Sequence, residues 1–120
     1  MNEKNKDLKR QYKLTKPDMG IFKISAEGAG KAYLEATQDL RGTMNGAIVR
    51  LNSGMHPWRE LQQDWTALGA ERFQTEILER LPYDEKDEMK TDYSEELKIL
   101  EMLWADRLAA EGLTLYRKRI

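Results

Sequence analysis

The chain has 120 residues, of which 40% are hydrophobic and 34% charged, and its formal net charge is −1. This length predicts one domain with a single modest core. No apolar run approaches the roughly 18 residues that a membrane-spanning helix needs, and the charged start lacks the apolar segment of a secretory signal. The absence of cysteine excludes disulfides, thiolate metal sites and cysteine nucleophiles. We therefore expect a cytoplasmic protein without a membrane partner.

The first third of the chain predicts a polar helix followed by a β-hairpin. Residues 4–14 can form the helix, which must end before Pro17 because the residue preceding proline avoids the α region. Apolar residues in 20–25 and 32–37 predict two strands, and the glycine-rich segment 26–31 between them is typical of a hairpin turn. Because this connection is short, the two strands must pair antiparallel.

The remainder predicts three helices and a third strand. Asp39 can cap a helix over residues 39–51, a second helix covers 57–68, and a last helix covers 94–110. Residues 72–78 favour a strand. The second helix carries an apolar stripe that we expect in the core, together with Trp104: Trp58, Leu61, Trp65 and Leu68. The predicted class is mixed α/β (α+β), with a central three-stranded antiparallel sheet flanked by helices.

Charge is distributed unevenly along the chain. Residues 3–16 hold six cationic side chains against two acids, and 117–119 are all basic, whereas residues 84–101 hold eight acids against three lysines. Basic ends can contact a phosphate backbone, and solvated surface is the alternative explanation. We assign residues 1–18 to a basic N-terminal helical extension and residues 19–120 to a single domain.

Two residues are candidates for chemistry on their own pattern. His56 is the only histidine, which excludes a histidine-pair metal site and a serine-type triad, and its place before a helix predicts an exposed or capping side chain. Glu101 falls at the edge of the apolar stripe that contains Trp104. A carboxylate at that edge either binds a cation or extends its charge to water, and periodicity alone leaves both open.

Short cues also recur in a fixed order between Gly20 and Trp104. They are Gly20-Ile21-Phe22, Ala32-Tyr33-Leu34-Glu35, Gly54 and His56 before the helix at 57–68, Gly69 after it, and Glu101 three residues before Trp104. This order resembles the GIY-YIG nuclease superfamily, small domains that cut DNA phosphodiesters with one divalent metal. The resemblance covers roughly two thirds of the chain and implies a degenerate member of the small bacterial or phage type.

The resemblance implies a catalytic set and a metal. Tyr33 is the tyrosine of the second family motif, and His56 stands where the family often places a histidine near the scissile phosphate. Glu101 matches the family's metal ligand and implies a weak Mg²⁺ or Mn²⁺ site. Magnesium takes oxygen ligands, commonly one or two carboxylates with water completing the shell.

Three family positions are altered in this chain. The first motif tyrosine is Phe22, the essential arginine is Thr43, and the glycine of the second motif is Glu35. Threonine cannot neutralise the charge that develops on a transferring phosphoryl group. Arg50 lies seven residues beyond Thr43 and about 10 Å along the helix axis, so it is no convincing replacement.

DNA is the partner that the resemblance implies, and a small-molecule substrate is not expected. We predict that DNA is bound by Lys9, Arg10, Lys13, Arg50, Arg117, Lys118 and Arg119. The favoured function is a DNA-binding or regulatory protein, transcriptional regulation included, that keeps the nuclease scaffold with lost or weak cleavage. The alternatives are an active divalent-metal-dependent DNA endonuclease and a protein–protein adaptor.

Overall fold

A computed structural model describes residues 16–116 of the chain. The helix predicted at residues 4–14 lies outside these residues, and the assignment of residues 1–18 to an extension stays a prediction. The elements in chain order are β1 (Met19–Ala26), β2 (Lys31–Thr37), α1 (Leu40–Asn52), α2 (Arg59–Leu68), a short 3₁₀ helix (Ala70–Arg72), β3 (Phe73–Leu81), α3 (Ser94–Ala110) and β4 (Thr114–Leu115). None of the helices within residues 16–116 has the length and apolar character needed to cross a membrane.

The strands form one sheet in the order β3-β1-β2-β4. β1 pairs antiparallel with both β2 and β3, which confirms the predicted antiparallel core of the sheet. The predicted number of strands is wrong, because β4 adds a fourth strand parallel to β2. β4 has only two residues and pairs with Lys31 and Ala32 alone. Two residues show no alternation, so the sequence pattern could not reveal it.

Local sequence explains the hairpin and the start of β1. Gly28 and Gly30 in the turn have φ values of 81° and 71°, in the left-handed region that glycine tolerates. Gly20 serves a different purpose, because a Cβ there would lie 2.0 Å from the carbonyl oxygen of Glu79. The sheet therefore requires glycine at the first position of the Gly20-Ile21-Phe22 cue.

Helices cover both faces of the sheet, and alternate residues of the strands point to opposite layers. Tyr33 belongs to the core cluster under α1 and α2, whereas its neighbour Leu34 belongs to the cluster under α3. Asp39 caps α1 as predicted, since its carboxylate accepts the N–H of Gly42 at 3.1 Å. A small third cluster joins the start of β1 to the start of α3.

The apolar stripe of α2 is buried only in part. Leu61 and Trp65 are 0% and 7% exposed and belong to the core as predicted. Trp58 is half-buried, and Leu68 is 40% exposed, so its predicted place in the core is wrong. Leu68 is the last residue of α2, where Gly69 turns the chain into the 3₁₀ helix with φ 93°, and its side chain stays at the surface.

Candidate functional site

Tyr33 lies at the centre of an aromatic cluster on β2. Its ring contacts Trp58 edge-on, with centroids 4.8 Å apart at 88°, and His56 in the same manner at 5.3 Å and 90°. The ring of Phe22, which is paired with Glu35 in the sheet, lies 6.1 Å away on β1 and is fully buried. The start of α2 and the loop before it therefore supply two of the rings that surround Tyr33.

The hydroxyl of Tyr33 is already engaged within its own strand. It donates a hydrogen bond to the carboxylate of Glu35, two residues along β2 and on the same face of the sheet. Burial first, and then the bond to Glu35, raise the pKa of Tyr33 above its ordinary value. The charge of Glu101 acts in the same direction, and that of Arg50 opposes it. The Tyr33 hydroxyl is thus a protonated donor and a poor general base.

His56 is buried, with 6% of its surface exposed, so of the two predicted alternatives, an exposed or a capping side chain, the exposed one is wrong. Its Nδ1 accepts the backbone N–H of Trp58 at 3.1 Å, and its own backbone N–H donates to Oε1 of Gln62 at 2.9 Å. Burial and then the charge of Arg50 lower the pKa of His56. The imidazole is therefore neutral at neutral pH and holds Trp58 in place. Its catalytic role stays a prediction.

Two hydroxyl groups meet at the position that the resemblance assigns to the family's arginine. Thr43, near the start of α1, is hydrogen-bonded through Oγ1 to Oγ1 of Thr37 at the end of β2, at 2.7 Å. Neither group carries charge. Arg50, in the last turn of α1, is exposed, and its charge acts on both Tyr33 and His56. Of the basic residues predicted to contact DNA, Arg50 alone falls within residues 16–116; the other six lie outside the described residues.

Glu101 lies on α3, on the opposite side of the sheet from α1 and α2, yet its charge reaches Tyr33. It lines a cavity of about 200 Å³ together with Leu34, Trp58, Met102, Ala105, Leu115 and Tyr116. β4 covers β2 only as far as Ala32, so in the part of the chain that the structure describes the two layers meet at the strand edge beside Tyr33. Trp58 from one layer and Glu101 from the other line the cavity there.

The structure thus brings together some of the predicted site residues and separates others. The ring of Tyr33 contacts those of His56 and Trp58, and Trp58 lines a cavity together with Glu101; the catalytic roles of these residues stay predictions. Phe22 and Thr43, the two altered family positions, do not line this cavity, because Phe22 is fully buried in the core and Thr43 bonds to Thr37. Phe22 lacks the hydroxyl of the tyrosine that the resemblance places there, and Thr43 is shorter than the corresponding arginine.

The residues present offer little to a metal ion. Within residues 16–116, no group of three or more histidine or acidic side chains is arranged to hold one. The carboxylate of Glu101 could still bind Mg²⁺ or Mn²⁺ with water completing the coordination shell, an arrangement that magnesium accepts. Such a site has one protein ligand and is expected to be weak.

Sequence reasoning missed the contacts that fix the far wall of the cavity. The hydroxyl of Tyr116 donates to Oδ2 of Asp64 at 2.8 Å, and the Lys31 ammonium lies 2.8 Å from a carboxylate oxygen of Glu60. These contacts join the residue after β4 and the start of β2 to α2. They link positions that are distant in sequence, and no local pattern indicates them. Trp58 was assigned to the core because it shares the helical stripe.

Comparison with known proteins identifies the fold. No family model matches the sequence, and no curated protein matches it significantly. Its structure is similar to the catalytic domain of the homing endonuclease I-TevI, with a TM-score of 0.63 and 21% identity, covering 82% of this chain and 98% of that domain. A mutant of the same catalytic domain aligns with a TM-score of 0.63 and 19% identity over 86% of this chain and 97% of that domain. The chain therefore has the GIY-YIG-like fold that the order of its motifs predicts.

Proposed function

We propose that this chain is a DNA-binding or regulatory protein on a GIY-YIG scaffold whose phosphodiester cleavage is lost or weak. The observation that carries the proposal is the hydrogen bond from the Tyr33 hydroxyl to the Glu35 carboxylate. A hydroxyl committed to a carboxylate, with its pKa raised, is poorly suited to take a proton from an attacking water. Glu35 also brings negative charge to the place where a phosphate would have to approach, which disfavours phosphate binding there.

The absence of a guanidinium at the arginine position supports the same function. Most of the acceleration of phosphoryl transfer comes from positioned positive charge. Thr43 and Thr37 supply only neutral hydroxyls, 2.7 Å apart, and Phe22 has no hydroxyl at all. The set that remains, Tyr33 and Glu101, is too small to be expected to cut DNA efficiently.

DNA binding requires fewer precisely positioned side chains than catalysis does. Lysine and arginine contacts to phosphates supply most non-specific affinity, and they release counterions from the duplex. Arg50 is exposed at the end of α1 beside the aromatic cluster, and the contacts predicted for Lys9, Arg10, Lys13 and residues 117–119 would extend the basic surface. We expect binding that is mainly electrostatic, weakly sequence-selective and steeply dependent on salt.

An active divalent-metal-dependent endonuclease is the second candidate. It is favoured by Arg50, whose charge acts on Tyr33 and His56 from the last turn of α1 rather than from the family's position. In that case Glu101 would hold the divalent ion, which would supply charge stabilisation to a phosphate oxygen. Arg50 would orient the phosphate beside Trp58 and Tyr33.

A paired binding and cleavage assay separates these candidates. Gel retardation of a DNA duplex by the full chain, at low and high salt, would be measured together with plasmid nicking in Mg²⁺ and Mn²⁺. We expect retardation at micromolar protein that weakens as salt rises, with absent or very slow nicking. Arg50→Ala should weaken retardation more than Arg41→Ala, an exposed arginine in the first turn of the same helix.

Two results would overturn the proposal. Robust nicking by the unmodified chain, abolished by Glu101→Ala, would establish the active endonuclease. No retardation of duplex or single-stranded DNA at low salt would leave the protein–protein adaptor as the function to pursue.

A further inference from the structure

Helix α3 carries exposed apolar side chains on the side that faces away from the sheet. Ile99, Met102 and Leu103, the α3 stripe, are 60%, 61% and 60% exposed and are neighbours on the helix surface at spacings of three and four residues. The opposite side of α3 packs on the sheet and buries Leu97 and Leu108. Exposed apolar side chains that adjoin one another mark an interaction surface, whereas single ones need no explanation.

The α3 stripe is acidic at both ends. Glu95 and Asp106 are exposed and fall on the same face of the helix as Ile99. The two cations of α3, Lys98 and Arg107, lie on the flanks of this face, about 90° from its centre. A second copy of α3 packed antiparallel on the stripe would bring Glu95 close to the other copy's Asp106, and like charges repel. A partner that is apolar and positively charged complements this surface.

The N-terminal segment of the same chain enters the domain beside the start of α3. The ammonium of Lys16 lies 4.8 Å from the centroid of the Tyr83 ring, and the Tyr83 hydroxyl donates to the carbonyl oxygen of Pro17 at 2.6 Å. The Tyr83 ring contacts that of Tyr93 with centroids 5.4 Å apart, and α3 begins at the next residue. Residues 1–15 are therefore tethered at the N-terminal end of α3.

The sequence of this segment complements the α3 stripe. On the helix predicted for residues 4–14, Leu8 and Tyr12 share one face at a spacing of four residues. Lys4 and Lys9 lie to either side of that face. A helix over these residues would be about 16 Å long, and the 17 residues of α3 span about 25 Å, so the segment has room to lie along the stripe.

We propose that the α3 stripe is the docking surface for residues 1–15 of this chain, bound as an amphipathic helix antiparallel to α3. The tether sets the register, because each helical residue advances 1.5 Å. Leu8 then reaches the level of Met102, and Lys4 reaches that of Asp106. Apolar contact at the centre and opposite charges at the end hold the segment in place. The docking goes beyond the proposed DNA-binding function and does not depend on it.

The docked segment would change the charge of this surface. Arg10 and Lys13 fall on the side of the predicted helix that points away from Leu8 and Tyr12. An acidic, apolar face of the domain is thereby covered by a basic one. Under the proposed function, the two cations gain a fixed position from which they can contact a phosphate backbone.

Introduced cysteines test the contact, because the chain has no cysteine of its own. The full chain with Leu8→Cys and Met102→Cys is compared with the full chain with Arg10→Cys and Met102→Cys, with oxidised glutathione as the oxidant. Position 10 is two residues nearer to the tether but on the opposite side of the predicted helix, so an undocked segment would cross-link it at least as fast. We expect the Leu8 pair to form the intramolecular disulfide about tenfold faster, because docking brings its Cα atoms within bonding range.

Charge placed in the stripe shows where the segment binds. Ile99→Lys, added to the chain with Leu8→Cys and Met102→Cys, removes an apolar contact and repels the basic segment, so disulfide formation should slow about tenfold. Val49→Lys is the matched control, because Val49 is 65% exposed on α1, on the other side of the sheet. It should leave the rate unchanged.

The outcomes separate this inference from the proposed function. Equal rates for the Leu8 and Arg10 pairs, or an equal effect of Ile99→Lys and Val49→Lys, would refute the docking. Disulfide-linked dimers of Met102→Cys alone, formed faster than those of Val49→Cys alone, would assign the stripe to a second copy and also refute it. If the Leu8 pair reacts as expected and no DNA is bound at low salt, the docking stands and the proposed DNA-binding function fails.

Discussion

The two ends of strand β2 are held by different kinds of contact. At its start, Lys31 and Ala32 pair with β4, Lys31 bonds to Glu60 on α2, and the ring of Tyr33 packs among aromatic side chains. At its end, side chains interact through polar groups, with Thr37 bonded to Thr43. The packed end maintains the geometry of the fold, and two of the three positions that the resemblance predicts to be altered, Glu35 and Thr43, have their contacts towards the polar end, whereas the third, Phe22, is buried in the core.

Under the proposed function, this difference explains how a scaffold would keep its shape while its chemistry changes. Loss of a buried aromatic side chain costs several kcal/mol, whereas a polar substitution near the surface usually costs less than about 0.5 kcal/mol. Threonine at position 43 and glutamate at position 35 find partners within the strand and helix that carry them. Such substitutions alter a reaction by several kcal/mol of transition-state energy without disturbing the sheet.

The largest effect is expected from breaking the packed end with Trp65→Ala. Trp65 is 7% exposed, packs on Phe73 with centroids 5.0 Å apart, and donates its indole N–H to Asn52 at 3.2 Å. Its removal leaves a cavity and should lower the free energy of unfolding by about 3–5 kcal/mol. Urea denaturation followed by circular dichroism measures the loss.

Leu68→Ala provides the matched control on the same helix. Leu68 is 40% exposed, so we expect its truncation to cost no more than about 1 kcal/mol. A denaturation midpoint that is unchanged in Trp65→Ala, or equal losses in the two variants, would show that α2 does not support the packed end.

The elements of the fold were predictable where a local pattern decides them. The hairpin follows from the glycines between β1 and β2, and Asp39 marks the start of α1. β4 escaped prediction because two residues carry no periodicity and its pairing with β2 is set by tertiary contacts. The exposure of Leu68 was not predicted, because helical periodicity identifies the apolar face of α2 but does not show where the sheet beneath that face ends.

The sequence proposed residues for the candidate site, but it could not predict the contacts between them. The order of the motifs predicts Tyr33 and Glu101 as site residues, and in the structure the charge of Glu101 acts on Tyr33, while their roles stay predictions. The burial of His56 depends on rings from β2 and α2, and the fixing of Tyr116 depends on Asp64. Spacing along the sequence does not predict contacts between residues that are distant in the chain. Neither the neutral state of His56 nor the cavity with its aromatic lining could therefore be inferred.

A second prediction reverses the substitutions at the polar end. Thr43→Arg combined with Glu35→Gly restores positive charge, removes the carboxylate and frees the Tyr33 hydroxyl. We expect plasmid nicking in Mg²⁺ or Mn²⁺ to rise by about 100-fold, the effect of one positioned charge or donor in such reactions. The measurement is the initial nicking rate relative to the unmodified chain.

Thr43→Val with Glu35→Gly is the control for that experiment. It removes the bond to Thr37 and the carboxylate without adding charge, so it should leave nicking near the unmodified level. An equal rise in both double variants would assign the gain to removal of Glu35. No rise in either would contradict the idea that the polar end limits the chemistry.

The smallest expected effect is a pH dependence of the free energy of unfolding that comes from His56. It tests whether His56 is a buried neutral group of the packed end of β2 or a charged group facing the polar end. Burial and Arg50 lower the pKa of His56 in the folded chain, so as pH falls below about 6.5 the unfolded state binds more protons. The free energy of unfolding should therefore be highest above that pH and decrease below it, levelling off once the folded histidine is protonated.

His56→Asn, whose amide oxygen can still accept the Trp58 N–H, should remove this part of the decrease while the carboxylates contribute equally to both proteins. The difference between the two urea-denaturation pH profiles gives the effect. If His56 instead titrates above about 6.5 by NMR, it is a charged group facing the polar end, and its assignment to the packed end is wrong.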